Sequence, residues 1–215
     1  MDGESALTLP PGVWLDTVDS TMDEAKRRLA QGAFEGTGFV VADHQTAGRG
    51  TRGRVWVSPA EGLFLSLVLQ ATVDDPLALT SAYTQAAGVA CVEALQLATG
   101  VQPVLKPIND VVLHTPQGVK KLGGILVEAD VKAGQFQWVI TGVGLNWRHP
   151  DFEVPDGNIP VGLESVLSPA AFARLNKDTV IETLIAKLCF WQSLVKAGQL
   201  GQVERAYAQR LMPKS

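Results

Sequence analysis

Apolar residues run along this chain in short unbroken blocks separated by polar turns, and the blocks predict strands. Gly38 to Asp43 (Gly-Phe-Val-Val-Ala-Asp) is continuous enough for a strand buried on both faces, and Leu63 to Gln70 reads as another. Val13 to Asp19 predicts a shorter strand ending in polar residues, and Val55 to Val57 a shorter one still. From Val104 to Leu113 two apolar segments flank Lys-Pro-Ile-Asn-Asp, the pattern of a buried hairpin with a polar interruption. Pro107 there biases Lys106 to an extended backbone and removes one ladder donor. Lys120 to Glu128 and Phe136 to Trp147 are two further strands, carrying Gly123 with Gly124 and Gly142 with Gly144. Glycine inside a strand marks a bulge or a close approach by a ligand or another backbone. Asp151 to Pro160, rich in Asp, Pro and Gly, predicts a surface loop.

Helical signals punctuate the strands. Thr21-Met-Asp-Glu24 fits a capping box, with Thr21 as cap and Glu24 reaching back, before a helix from Met22 to Gln31 closed by Gly32. Pro76 to Thr99 has the length and Ala/Leu content of a long helix, with Pro76 in its first turn and Gly100 as its stop. Gly88 within it points to close packing against a neighbour. Asp178 is placed to cap a helix from Thr179 to Lys196, whose Val180, Leu184, Leu188, Trp191 and Val195 recur at helical spacing and face inward. A short helix around Gln202 to Leu211 follows. Hairpin-like strands with helices between and after them give an α+β class with a mixed sheet, and residues 1–215 are expected to form one domain.

Composition narrows the function classes. The chain has 215 residues, 46% of them hydrophobic, so it can bury a sizeable core. A net charge of -4 argues against a general nucleic-acid binder, so any basic site is local. Cys91 and Cys189 sit in apolar helical patterns and read as buried thiols of a reducing compartment. His44, His114 and His149 are too scattered for a metal site. Met1 to Leu9 lacks both a basic region and an apolar core, so it is not a secretory signal. The apolar run Leu63 to Leu69 is too short to cross a bilayer, and the cytoplasm is the expected location.

The local basic site is plain. Between Arg49 and Arg54 three of six residues are Arg and two are Gly, which suits a loop wrapping a small anion. A solvated basic loop or an RGG-like nucleic-acid contact would use the same residues. Ser20 and Thr21 put two hydroxyls at a helix start, either as caps or beside backbone N–H groups that meet an acceptor. Lys106, Asn109 and Asp110 offer a cation, an amide and a carboxylate, a set able to hold phosphate and Mg²⁺ or simply to form a turn. Trp56 reads as a core or pocket wall, and the Gly142/Gly144 strand lacks the third glycine and helix of a dinucleotide fingerprint.

Taken in order, Asp19-Ser20-Thr21, Gln45 through Ser58-Pro59, Lys106 with Asn109-Asp110, Lys121 to Glu128, and Gly142 to Asn146 form one pattern. It resembles the catalytic module of biotin protein ligases, in the biotin/lipoate ligase family, over about Val13 to Trp147. The resemblance implies a class II synthetase-like fold with a mixed, largely antiparallel sheet flanked by helices. It implies ATP and Mg²⁺ as co-substrate and cofactor, biotin as substrate, and transfer through biotinyl-adenylate to a lysine of a biotin carboxyl-carrier domain. By the same match Lys121 and Arg49 would be catalytic, and Ser20, Thr21, Gln45, Gly48, Arg49 and Gly124 would bind biotin. Arg52, Arg54, Trp56, Lys106, Asn109, Asp110 and Asn146 would face the nucleotide, with Asn109 and Asp110 at the metal.

Departures from the family pattern accompany the match. Thr51 stands where the family usually has Arg, Pro107-Ile108 replaces Trp-Pro, and Met22 replaces a common Asn. Neither the winged helix of repressor-type members nor the small carboxy-terminal β-barrel is expected within residues 1–215, so no DNA partner is implied. Homodimerisation is common in the family, and no membrane contact is implied. A lipoate or octanoate ligase of the same fold is the alternative, against which the loop lacks the Arg-Arg, glycine and His run of that group. A non-catalytic binding paralogue is suggested by Thr51 and Pro107-Ile108.

Overall fold

The computed structural model describes residues 9–58, 62–70, 76–132, 135–149 and 159–213. Seven strands lie in one sheet, in the order β1-β2-β3-β7-β6-β5-β4. Strand β1 (Gly12–Val18) leads through helix α1 (Thr21–Ala30) into β2 (Thr37–Gln45), which runs parallel to it. A parallel pair requires such a crossover. Every other pairing, through β3 (Leu63–Gln70), β7 (Gln135–Leu145), β6 (Gly118–Lys132), β5 (Asp110–Thr115) and β4 (Val104–Lys106), is antiparallel. The mixed sheet of the α+β expectation is therefore present.

Period-two alternation sorts the sheet into two faces. Phe39, Val41, Leu63, Leu65, Leu67, Val143 and Leu145 point to one side. There they meet Ala87, Ala90, Cys91 and Leu95 of α2 (Pro76–Thr99) and Val180, Ile181, Leu184 and Leu188 of α5 (Lys177–Lys196). Gly88 is where α2 comes close to a neighbour, since a Cβ there would lie 3.0 Å from Leu105 Cδ1. The opposite side holds Val40, Val68 and Ile140 against Met22, Ala25 and Phe34. Helix α1 covers only one end of this side, and the other end is left for a cavity. Helix α6 (Leu200–Ala208) packs on α2 and α5, and Leu105 of edge strand β4 bonds the backbone of Arg210 and Met212. Among the described residues no helix is long and apolar enough to cross a membrane.

Several local expectations change. Ser20, extended at φ -154°, holds the N-cap position of α1, and its side chain caps nothing. Thr21 is the first helical residue; its polar groups turn to Gln45, while Glu24 pairs with Arg27 and Arg28 at 2.8 Å each. Helix α5 starts earlier than Asp178 suggested, and Asn176 caps it by accepting from the Thr179 N–H at 3.1 Å. Val55 makes a single bridge to Arg49 across the Thr51–Gly53 turn instead of a strand. Two short helices, α3 (Leu163–Val166) and α4 (Pro169–Ala173), were not expected. Pro59 and residues 151–158 of the expected loop lie outside the described residues.

Candidate active site

A cavity of about 550 Å³ opens on the α1 side of the sheet, between the start of α1, the Arg/Gly loop and strands β6 and β7. Its floor is bare backbone. A Cβ on Gly124 would lie 2.9 Å from the Trp56 ring, one on Gly144 2.7 Å from it, and one on Gly142 2.8 Å from Met22 Sδ. Those distances are too short for real side chains, so the indole of Trp56 and the thioether of Met22 rest where only glycine leaves room. The Arg/Gly loop thus forms a lid, with Trp56 pressed down on paired strands Gly124↔Gly144.

One end of the cavity is a buried polar relay. The Ser66 hydroxyl donates to Thr21 Oγ1 at 2.9 Å, and Thr21 donates from its N–H (2.9 Å) and its hydroxyl (3.2 Å) to Gln45 Oε1. Gln45 Nε2 donates in turn to Ser58 Oγ in the lid at 3.1 Å. The Ser20 hydroxyl, on a residue 1% exposed, is left without a protein partner at the cavity wall. A buried hydroxyl of this kind is costly unless something bonds it. Gly48 is confined by the same relay: a Cβ would lie 2.5 Å from the Trp56 carbonyl oxygen and 2.8 Å from Ser58 Oγ.

The other end is ionic. Lys121 Nζ sits 2.7 Å from Asp110 Oδ1 and 5.4 Å from the centre of the Trp56 ring. Its backbone is clamped by one segment around Pro160: Lys121 N–H donates to Ile159 O, and Val161 N–H to Lys121 O. Asn146 Nδ2 donates to the carbonyls of Lys121 (3.3 Å) and Val161 (3.2 Å), so this amide fixes the lysine's backbone. Asn109 Nδ2 donates to Ile125 O at 2.9 Å, which leaves its Oδ1 as the side-chain atom able to meet a cation. Asp110 is the one carboxylate lining the cavity among the described residues, and no cluster of three potential metal ligands occurs among them.

Arg49 lines the cavity, yet its terminal nitrogens are engaged elsewhere. They bond Glu128 at 2.7 and 2.9 Å and Asp23 at 2.9 Å. Hydrogen bonding to Glu128 holds the guanidinium above its ordinary range despite burial. Burial pushes the Glu128 carboxyl up, but bonds from Arg49 and Lys26 outweigh it and hold it below the ordinary carboxylate range.

Of the residues singled out in the sequence, Ser20, Thr21, Gln45, Arg49, Arg54, Trp56, Asn109, Asp110, Lys121, Gly124 and Asn146 share this cavity. Gly48, Arg52 and Lys106 do not line it. Gly48 lies behind the lid's backbone, and Arg52 is exposed in a left-handed turn (φ 58°). Lys106 ends β4 opposite Asp110 in the hairpin. The site residues given no role from sequence are Met22, Asp23, Lys26, Ser66, Glu128, Gly142 and Gly144. Of these, Gly142 and Gly144 gave a signal, as glycines inside a strand.

The sequence profile of the biotin/lipoate A/B protein ligase family matches residues 14–146. The chain belongs to this family. It is 35% identical over 179 residues to the bifunctional ligase/repressor BirA of Bacillus spizizenii, covering 83% of this chain and 52% of that protein. It is 30% identical over 205 residues to the biotin–[acetyl-CoA-carboxylase] ligase of Paracoccus denitrificans, covering 91% and 79%. This chain spans about half the length of the first of these relatives. In fold it is similar to a biotin protein ligase from Aquifex aeolicus solved with biotin and ATP, with a TM-score of 0.71, 22% identity and coverage of 94% and 78%. A biotin protein ligase from Leishmania major solved with biotinyl-5-AMP gives a TM-score of 0.65 at 22% identity, covering 97% and 85%. The class II synthetase-like fold implied by the motifs is the fold of this family member.

Proposed function

We propose that this member of the family is a biotin protein ligase, which activates biotin with ATP and passes it to a lysine of a carrier domain. The observation that carries the reading is one cavity with a hydroxyl-and-amide end, a glycine floor under an indole, and a cationic end at Lys121. A cyclic urea offers a carbonyl and two N–H groups, which suit the unpartnered Ser20 hydroxyl and the Thr21–Gln45 relay. The apolar ring and tail of the acid then lie along Gly124 and Gly144 beneath Trp56. The carboxylate ends at Lys121.

In the first step a carboxylate oxygen attacks the α-phosphorus of ATP, a new C–O–P link forms, and the bond to pyrophosphate breaks. Two anions converge, so the protein supplies positive charge: the Lys121 ammonium at the junction, and Arg54 of the lid. In the second step a carrier lysine amine attacks the anhydride carbonyl and AMP leaves. No nucleophilic side chain is needed, and positioning carries the rate. Thr51 stands on the cavity wall as a neutral hydroxyl, so it adds no charge to hold the adenylate.

Mg²⁺ binds through one or two carboxylates together with substrate phosphates. Asp110, with the Asn109 Oδ1, fits that donor set, and the ion would neutralise phosphate charge when bound. Asp110 also holds Lys121 in place, so the lysine and a bound ion would share one carboxylate. Pyrophosphate release that requires biotin is the expected result with ATP and Mg²⁺. Release supported by lipoate or octanoate and not by biotin would assign the other acyl group, and binding of biotin without any release would leave a binding protein.

A further inference from the structure

Arg49 reads from sequence as the arginine that meets the substrate anion, but its surroundings give it another task. Both terminal nitrogens are spent on carboxylates: Nη1 on Glu128 Oε1, and Nη2 on Glu128 Oε2 and Asp23 Oδ1. Its Nε is buried without a protein partner. Glu128 Oε2 takes a second cation, Lys26 Nζ, at 2.7 Å. The four groups sum to zero charge and come from three places: Arg49 from the lid, Asp23 and Lys26 from α1, Glu128 from β6. The lid backbone closes directly around the arginine. Arg49 bridges to Val55, Gly50 N–H donates to Arg54 O, and Trp56 N–H donates to Gly48 O.

We propose that Arg49 is a positioning residue, an anchor that ties the lid to α1 and β6 through Glu128 and Asp23, and not a direct donor to the ligand. A bidentate arginine–carboxylate pair fixes direction as well as distance, so anchoring Arg49 sets where Trp56 comes down on Gly124 and Gly144. The positive charge at the reacting atoms is then left to Lys121 and Arg54. The consequence for the ligand rests on the ligase reading; the anchoring of the ligand-free lid does not.

The test is a cycle of Arg49→Gln, Glu128→Gln and the double variant, measured in two ways. Amide hydrogen exchange at Gly50 and Trp56 in the ligand-free protein should speed up about fivefold in either single variant, the scale of a partly exposed ion pair. The double variant should exchange no faster than the singles. Exchange in the core of α5 should stay unchanged, which separates loss of the anchor from loss of folding. Biotin affinity and the KM for biotin should weaken to the same extent in all three variants, with kcat changing less. Wild-type lid exchange in Glu128→Gln would overturn the anchor. So would a double variant whose loss of biotin affinity is the product of the two single losses, since that would place Arg49 on the ligand independently of Glu128. A chain that bound no acyl acid would fail the ligase reading alone, and the exchange data would still decide the anchor.

Discussion

The side chains of Lys121 on β6 and Asp110 on β5 meet at 2.7 Å, only 16% and 14% exposed, although Lys121 is in register with Val112 and Asp110 with Gly124. A pair this sheltered is directional, and the irregular register between Val111 and Val112 shapes the strand pairing beside it. Because the ammonium is the charge nearest the proposed reacting centre, Lys121→Gln should lower biotin-dependent pyrophosphate release by about 10²- to 10³-fold, the scale of losing one preorganised donor. Asp110→Asn should cost less, because the lysine remains. Rates for the two variants, measured at saturating ATP, check the order; equal losses would place the two residues in one inseparable unit.

Gly48→Ala tests the lid without touching a charge. The new methyl would meet the Trp56 carbonyl at 2.5 Å, and backbone cannot rotate away as a side chain can. The lid must lift, so biotin affinity measured by calorimetry should fall by more than about tenfold, while the melting temperature shifts little. Unchanged affinity would mean that the lid has room that the Gly48–Trp56 hydrogen bond does not suggest.

On the far face of the sheet, Gln192 Nε2 donates to Thr141 Oγ1 at 2.7 Å in fully buried surroundings. Thr141→Val strands the amide and should destabilise by about 1–3 kcal/mol. Adding Gln192→Leu should recover most of that loss, since an apolar pair leaves nothing unsatisfied. Denaturant midpoints of the two variants check the asymmetry, and an additive double loss would contradict it.

Asp19 carries the pH prediction. Hydrogen bonds from Arg27 hold its carboxyl down at about 2, against an ordinary 3.8. A depressed carboxylate stabilises the fold above its unfolded value and loses that contribution as pH falls through the folded value. Support for the start of α1 should therefore persist at pH 3.8 and fade toward about 2. A carboxyl carbon titration by NMR with a midpoint near 3.8 would remove the Arg27 pairing from solution.

Strands β2, β3 and β7 were legible as apolar runs, α2 by its length and Ala/Leu content, and α5 because periodicity accumulates over many turns. Helices α3 and α4 were not, since four or five residues carry no period. Thr21 was misread as a cap because its true partner, Gln45, is 24 residues away and becomes a neighbour only when β2 ends beside α1. The same limit governs the site. Local motifs exposed the lid, Lys121 and Asp110, whereas Asp23, Lys26 and Glu128 each look like ordinary surface charges until three elements converge on Arg49. Met22, which in the sequence is only a departure from the family's Asn, is a core residue whose sulfur also closes the cavity over Gly142.

Transfer to a carrier tests the central claim most directly. The protein is incubated with biotin, ATP, Mg²⁺ and a purified biotin carrier domain, and the carrier is mapped by peptide mass spectrometry. The account predicts biotin on a single carrier lysine, dependent on ATP and lost in Lys121→Gln. Labelling that is absent, or equally fast in Lys121→Gln, would contradict it.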